Sequence, residues 1–253
     1  MRTVEEHIAS FREQADHLAD AAEMAGLPTP TPTCPDWTVR HVLAHAGGVH
    51  AWAARVVSQG LADLPDTPDL HEAVAEIPDD DLPDWYRAQA ENLADVLADA
   101  PDDLQCAAFL PAPSPRAFWA RRQAHECAIH RADVESALGR IPLYDAAHAR
   151  DGIDELLLRF LARRRKRPAF EEPRTMLVRA TEGGLWHLTL GPETVAGVEE
   201  DKAADVTIVG PASDVYLWAW NRVRPGHGTV SLMVDGDSSV LEAWRDNIWV
   251  RWS

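Results

Sequence analysis

AHECAIHRAD, residues 124–133, places two metal-competent side chains one helical turn apart. Glu126 and His130 are four positions apart, so on a helix they stand on one face, and Asp133 extends that stripe by three. A carboxylate and an imidazole so spaced can share one ion without bending the helix, as in the carboxylate-bridged helical bundles. Taken alone the pair is a weak signal, because such spacing is common on polar helix surfaces. The helix itself reads from about Ser114 to Leu138 and ends at Gly139. Cys127 is rotated by about 100° from Glu126 around that helix and reads as a buried structural thiol.

Moving outward, WTVRHVLAHAGGVHAW (residues 37–52) opens another helix. Thr38 caps it, Val39, Val42, Leu43, Ala46, Val49, Ala53 and Val56 give its apolar face, and Gly60 ends it. His45 sits on that apolar face, where a lone histidine is ordinarily a core residue satisfied by a hydrogen bond. His41 lies one turn earlier as a pairing partner, and His50, five positions later, points away from His45. Residues 3–25 repeat Val4, Ile8, Phe11, Ala15, Leu18 and Ala22 at helical spacing before Gly26-Leu27-Pro28 stops the run. TPTPTCPD (29–36) is a proline-rich connection, and a further helix is expected at about Pro83 to Ala100. Residues 61–81 carry eight acids and no base, which suggests a solvated loop with one short helix.

Four helices with unequal connections suggest an antiparallel bundle with long crossovers, in which the second helix can meet the fourth. That packing would bring His45 to Glu126 and His130, although spacing alone does not establish it. Three protein ligands would leave a coordination position open, the mark of catalytic rather than structural metal sites. Two histidines and a glutamate suit Zn²⁺, and Ni²⁺, Fe²⁺ and Co²⁺ also fit.

The second half changes character. A helix at about 147–166 ends in the basic run RRRKR, and the strand-like runs TMLVRA, LWHLTL and DVTIVG follow. GPASDVYLWAWNR reads as a turn and helix, TVSLMVDGD as a strand and SSVLEAWRDNI as a closing helix. The expected fold is therefore α+β: a helical bundle over residues 1–145 and a small α/β domain over 146–253.

The formal charge of the 253-residue chain is −17, and the first 145 residues carry −15 of it. So acidic a surface repels nucleic acid and anionic membranes. No apolar run is long enough to span a bilayer, and the acidic, amphipathic N-terminus is unlike a signal peptide, so a cytoplasmic location is expected. Three widely spaced cysteines, Cys34, Cys106 and Cys127, suggest neither a disulfide framework nor a cysteine metal site. Only two lysines against 22 arginines point to a GC-rich genome. Trp37, Trp52, Trp218 and Trp220 read chiefly as packing residues.

CPDWTVRHVLAH and HECAIHRADVE resemble the mycothiol-dependent maleylpyruvate isomerase family, part of the wider DinB-like group. AGGVHAW looks like its actinobacterial members, and LWAWNR with MVDGDSSVLEAW looks like its C-terminal domain. The resemblance implies a DinB-like four-helix bundle followed by a small, sterol-carrier-like α/β domain. It implies a metal triad of His45, Glu126 and His130, with Asp133 orienting a ligand imidazole and Arg222 matching an anion-binding arginine. Arg122, four before Glu126, is a candidate to hold that carboxylate or an anion of substrate or thiol. The implied cofactors are a divalent metal ion and mycothiol. By resemblance, the metal favours the thiolate of mycothiol, which adds to a cis double bond; rotation and elimination then give the trans isomer. In a transferase the adduct would be kept. A non-catalytic binding protein on the same scaffold is the alternative.

Overall fold

The computed structural model describes residues 2–65, 75, 77–163, 170–192 and 195–247. The chain divides into two compact units, residues 1–142 and 143–253.

In the first unit, α1 (Val4–Ala25) begins with a reciprocal cap. The Thr3 hydroxyl accepts the Glu6 N–H at 3.1 Å, and the Glu6 carboxylate accepts the Thr3 N–H at 2.7 Å. α2 (Val39–Gln59) starts after Thr38, whose N–H donates to His41 Nδ1 at 3.0 Å, and ends at left-handed Gly60. His41 thus serves the helix end. α3 (Leu82–Asp99) has a proline in its first turn, and α4 (Pro115–Ala137) is capped by Ser114, which accepts the Ala117 N–H at 3.1 Å. α1 packs along α4 and α2 along α3, with further contacts of α1 to α3 and α2 to α4. Phe11, Leu18, Val42, Leu43, Leu93, Leu97 and Trp119 fill the space between them.

Gly47 of α2 faces Trp85 of α3. A Cβ there would lie 2.3 Å from the Trp85 ring, so the indole occupies the space a side chain would need. Among the described residues no helix is long and apolar enough to cross a membrane. Residues 66–74 and 76 of the acidic stretch at 61–81, where the short helix was expected, lie outside the described residues.

The second unit holds a five-stranded sheet in the order β3-β2-β1-β4-β5: β1 (Arg174–Ala180), β2 (Leu185–Leu190), β3 (Val195–Val198), β4 (Val206–Gly210) and β5 (Met233–Gly236). β1 and β4 pair in parallel, and the other neighbours are antiparallel. β3 was not expected, because a four-residue edge strand carries too little periodic signal. β5 is shorter than the run TVSLMVDGD suggested. α5 (Ala146–Asp154) packs on α6 (Ala212–Ala219), and α7 (Ser239–Asn247) is the last helix described. The expected single helix at 147–166 is α-helical only to Asp154. It then widens into a π-turn over Glu155–Phe160 and tightens into a 3₁₀ turn at Leu161–Arg163. β3 lies against that π-turn. A Cβ at Gly197 would lie 2.7 Å from the Leu157 carbonyl oxygen, so only glycine fits there without a shift. Most of the basic run, from residue 164, lies outside the described residues.

Candidate metal centre

α4 is unusual for a buried helix. Arg121, Arg122, Gln123, His125, Glu126, His130 and Asp133 are all buried, although long charged side chains are rarely enclosed unless paired. The packing of α2 against α4 brings His45 to the Glu126/His130 pair. His130 Nε2 lies 3.1 Å and His45 Nε2 3.5 Å from the same oxygen, Glu126 Oε1. One donor atom from each residue lies within 4.8 Å of the others, and all three residues are buried. Two neutral-capable imidazoles and a carboxylate converging on one point form a donor set that fits a divalent ion of the zinc type.

The remaining contacts sort the donor atoms. Arg122, 1 % exposed, donates to Glu126 Oε2 at 3.0 Å, so the other carboxylate oxygen faces the two histidines. His130 Nδ1 donates to Asp133 Oδ2 at 3.0 Å, which leaves Nε2 to face the cluster. Asp133 is fully buried. Arg131 bonds Glu135 and Gln14, and Arg116 bonds Asp102. Trp37, from the loop before α2, stands over the imidazoles. Its ring is nearly parallel to His130 with centroids 6.2 Å apart, and lies 5.1 Å from His45. It is half-buried, whereas the histidines are enclosed. Its position outside any helical repeat hid this from pattern reading.

Charge follows the geometry. Burial alone would raise the Glu126 carboxyl, but hydrogen bonds from His130 and His45, with the charges of His130 and Arg122, hold it well below the usual range. Burial would lower His130, but its bonds to Asp133 and Glu126 outweigh that and raise it to about 9. One turn along α4, Gln123 accepts a hydrogen bond from His50 Nδ1 at 2.9 Å, and burial lowers His50 to about 4. His50 is thus a buried neutral residue outside the cluster. Cys127 is buried at 3.4 Å from the Tyr86 hydroxyl, and burial pushes its thiol up to about 12. Arg222 lies in the second unit, where its guanidinium donates to the Trp220 carbonyl at 2.7 Å.

Residues 3–135 match the family profile described as the mycothiol maleylpyruvate isomerase N-terminal domain, and residues 147–243 match the MDMPI C-terminal domain. Two solved structures align over 92 % of this chain and 93 % of their own. One is the crystal structure of the mycothiol-dependent maleylpyruvate isomerase, with a TM-score of 0.61 and 14 % identity. The other is a histidine-to-alanine mutant of that enzyme, with a TM-score of 0.62 and 13 % identity. At these identities the likeness is one of fold. No curated protein is significantly similar to the chain.

Proposed function

The chain belongs to the mycothiol maleylpyruvate isomerase family, and from that membership we propose that it is a metal- and thiol-dependent enzyme acting as an isomerase or S-transferase. The observation that carries this reading is the convergence of His45 Nε2, Glu126 Oε1 and His130 Nε2 in one buried cluster. These three residues would hold a divalent ion, with zinc the best chemical match and Ni²⁺, Fe²⁺ or Co²⁺ compatible. When bound, such an ion favours the thiolate of a small thiol, here mycothiol, over its neutral form.

The residues around the cluster have separable tasks. Asp133 accepts the His130 Nδ1 proton and so selects the tautomer whose Nε2 can act as a ligand. Arg122 is best read as the partner of the Glu126 carboxylate, which it balances and orients. Trp37 shields the two imidazoles from water on its side. Separately, and from the family resemblance alone, Arg222 of the second unit is proposed as an anion-binding arginine, able to hold a carboxylate through paired N–H donors. The acidic charge disfavours nucleic-acid and anionic-membrane partners, and a cytoplasmic location is part of the same proposal.

The test is elemental analysis of the purified protein and of His45→Ala and His130→Ala, followed by incubation of mycothiol with maleylpyruvate and with electrophiles. About one equivalent of metal is expected in the wild type, for a single three-ligand site, and background levels in both variants. Stoichiometric metal that survives both substitutions overturns the site. Metal binding with no thiol-dependent loss of any substrate favours the alternative, a non-catalytic metal or small-molecule binding protein.

A further inference from the structure

The connection between α1 and α2 is held in a closed shape. The Thr31 N–H donates to the Trp37 carbonyl at 3.0 Å, the Trp37 N–H to the Cys34 carbonyl at 3.0 Å and the Cys34 N–H to the Thr31 carbonyl at 3.1 Å. Pro30 and Thr38 form a bridge across its base. Thr33 sits within this closed loop, and its hydroxyl donates to Asp133 Oδ1 at 2.6 Å and lies 3.2 Å from Ser136 Oγ. Asp133 therefore uses one oxygen for Thr33 and the other for His130 Nδ1.

We propose that Thr33 is a positioning residue of the metal centre, acting through Asp133 on the aim of His130. This rests on the reading that His45, Glu126 and His130 bind a metal. A fully buried carboxylate turns easily about its last bond unless both oxygens are engaged. The Thr33 hydroxyl removes that freedom, so Oδ2 stays on the Nδ1 side of the imidazole and Nε2 stays directed at Glu126 Oε1. Outer hydrogen-bond partners of ligand histidines commonly change metal affinity by about 10–100-fold. A residue one bond further out should carry a smaller share.

The test measures zinc affinity by competition with a coloured chelator, alongside the melting temperature of metal-free protein. Thr33→Val is expected to weaken zinc binding by about 3–10-fold, while Thr33→Ser, which keeps the hydroxyl, stays close to wild type. In an Asp133→Asn background, Thr33→Val should have no further effect on zinc affinity. That coupling is what separates positioning from a general loosening of the loop, which would move the melting temperature in both backgrounds. Thr33→Ala serves the same comparison if Thr33→Val fails to fold. Unchanged zinc affinity in Thr33→Val, or an equal loss with and without Asp133, overturns the assignment while leaving the metal site standing. A wild-type protein that binds no zinc overturns both.

Discussion

Replacing Arg122 with methionine is expected to lower the unfolding free energy of the metal-free protein by about 3–5 kcal/mol, the usual cost of stranding one partner of a buried ion pair. The methionine fills similar space, so the loss reports charge rather than packing. Arg122 and Glu126 are both enclosed, with 3.0 Å between Nη2 and Oε2, so water cannot replace the guanidinium. The remaining bond from His130 moderates the loss and favours the lower end of the range. The companion change Glu126→Gln should restore much of the stability in the double variant, because a neutral amide needs no counter-charge. Zinc should narrow the gap between Arg122→Met and wild type, since the ion supplies the missing positive charge. Urea titrations with and without zinc measure all three quantities. A loss below about 1 kcal/mol, the size of an exposed pair, would show that the pair is not enclosed as described.

Zinc affinity should rise about tenfold for each pH unit between pH 6 and 8, because metal and proton compete for His130 Nε2. The sign follows from the raised value of about 9 in the metal-free protein. A histidine raised above its ordinary 6.5 adds stability to the metal-free fold that is fully present below 6.5 and is lost as the pH climbs through about 9. Metal uptake at neutral pH must therefore expel that proton. Calorimetry in buffers of differing ionisation enthalpy should count about one proton released per zinc at pH 7. Affinity should level off above about pH 9. Asp133→Asn removes one of the bonds that raise His130, so its plateau should begin at lower pH. An affinity that is flat from pH 6 to 8 would place the proton elsewhere.

Much of the helical half was legible in the sequence because local chemistry and global packing agree there. Ser114-Pro115 opens α4, Thr38 precedes α2 and Gly60 closes it, each by a mechanism that needs only nearby residues. Glu126 and His130 were legible as a pair for the same reason. His45 was not legible as their neighbour, because that proximity depends on how α2 lies on α4, and helical periodicity carries no information between helices. The family resemblance made the link, and the packing now supplies its geometry. Trp37 and Thr33 were hidden for another reason. They sit in a proline-rich connection whose shape is set by backbone hydrogen bonds among Thr31, Cys34 and Trp37. In the second half, β3 escaped notice because four edge residues carry little periodic signal, and the π-turn at Glu155–Phe160 because the apolar run through it has no local stop signal.

Cys127 stands beside Glu126, the proposed metal ligand, yet is sealed against Tyr86, with its thiol pushed up to about 12. At neutral pH only about one such group in 10⁵ is ionised, and it is the ionised sulfur that attacks disulfides and peroxides. For a chain proposed to work beside a reactive small thiol, this has a protective meaning. Oxidised thiol reaching the centre would meet a buried, largely protonated sulfur at Cys127, so S-thiolation there is disfavoured. The bundle keeps its own sulfur at that position out of redox exchange with the thiol it is proposed to handle.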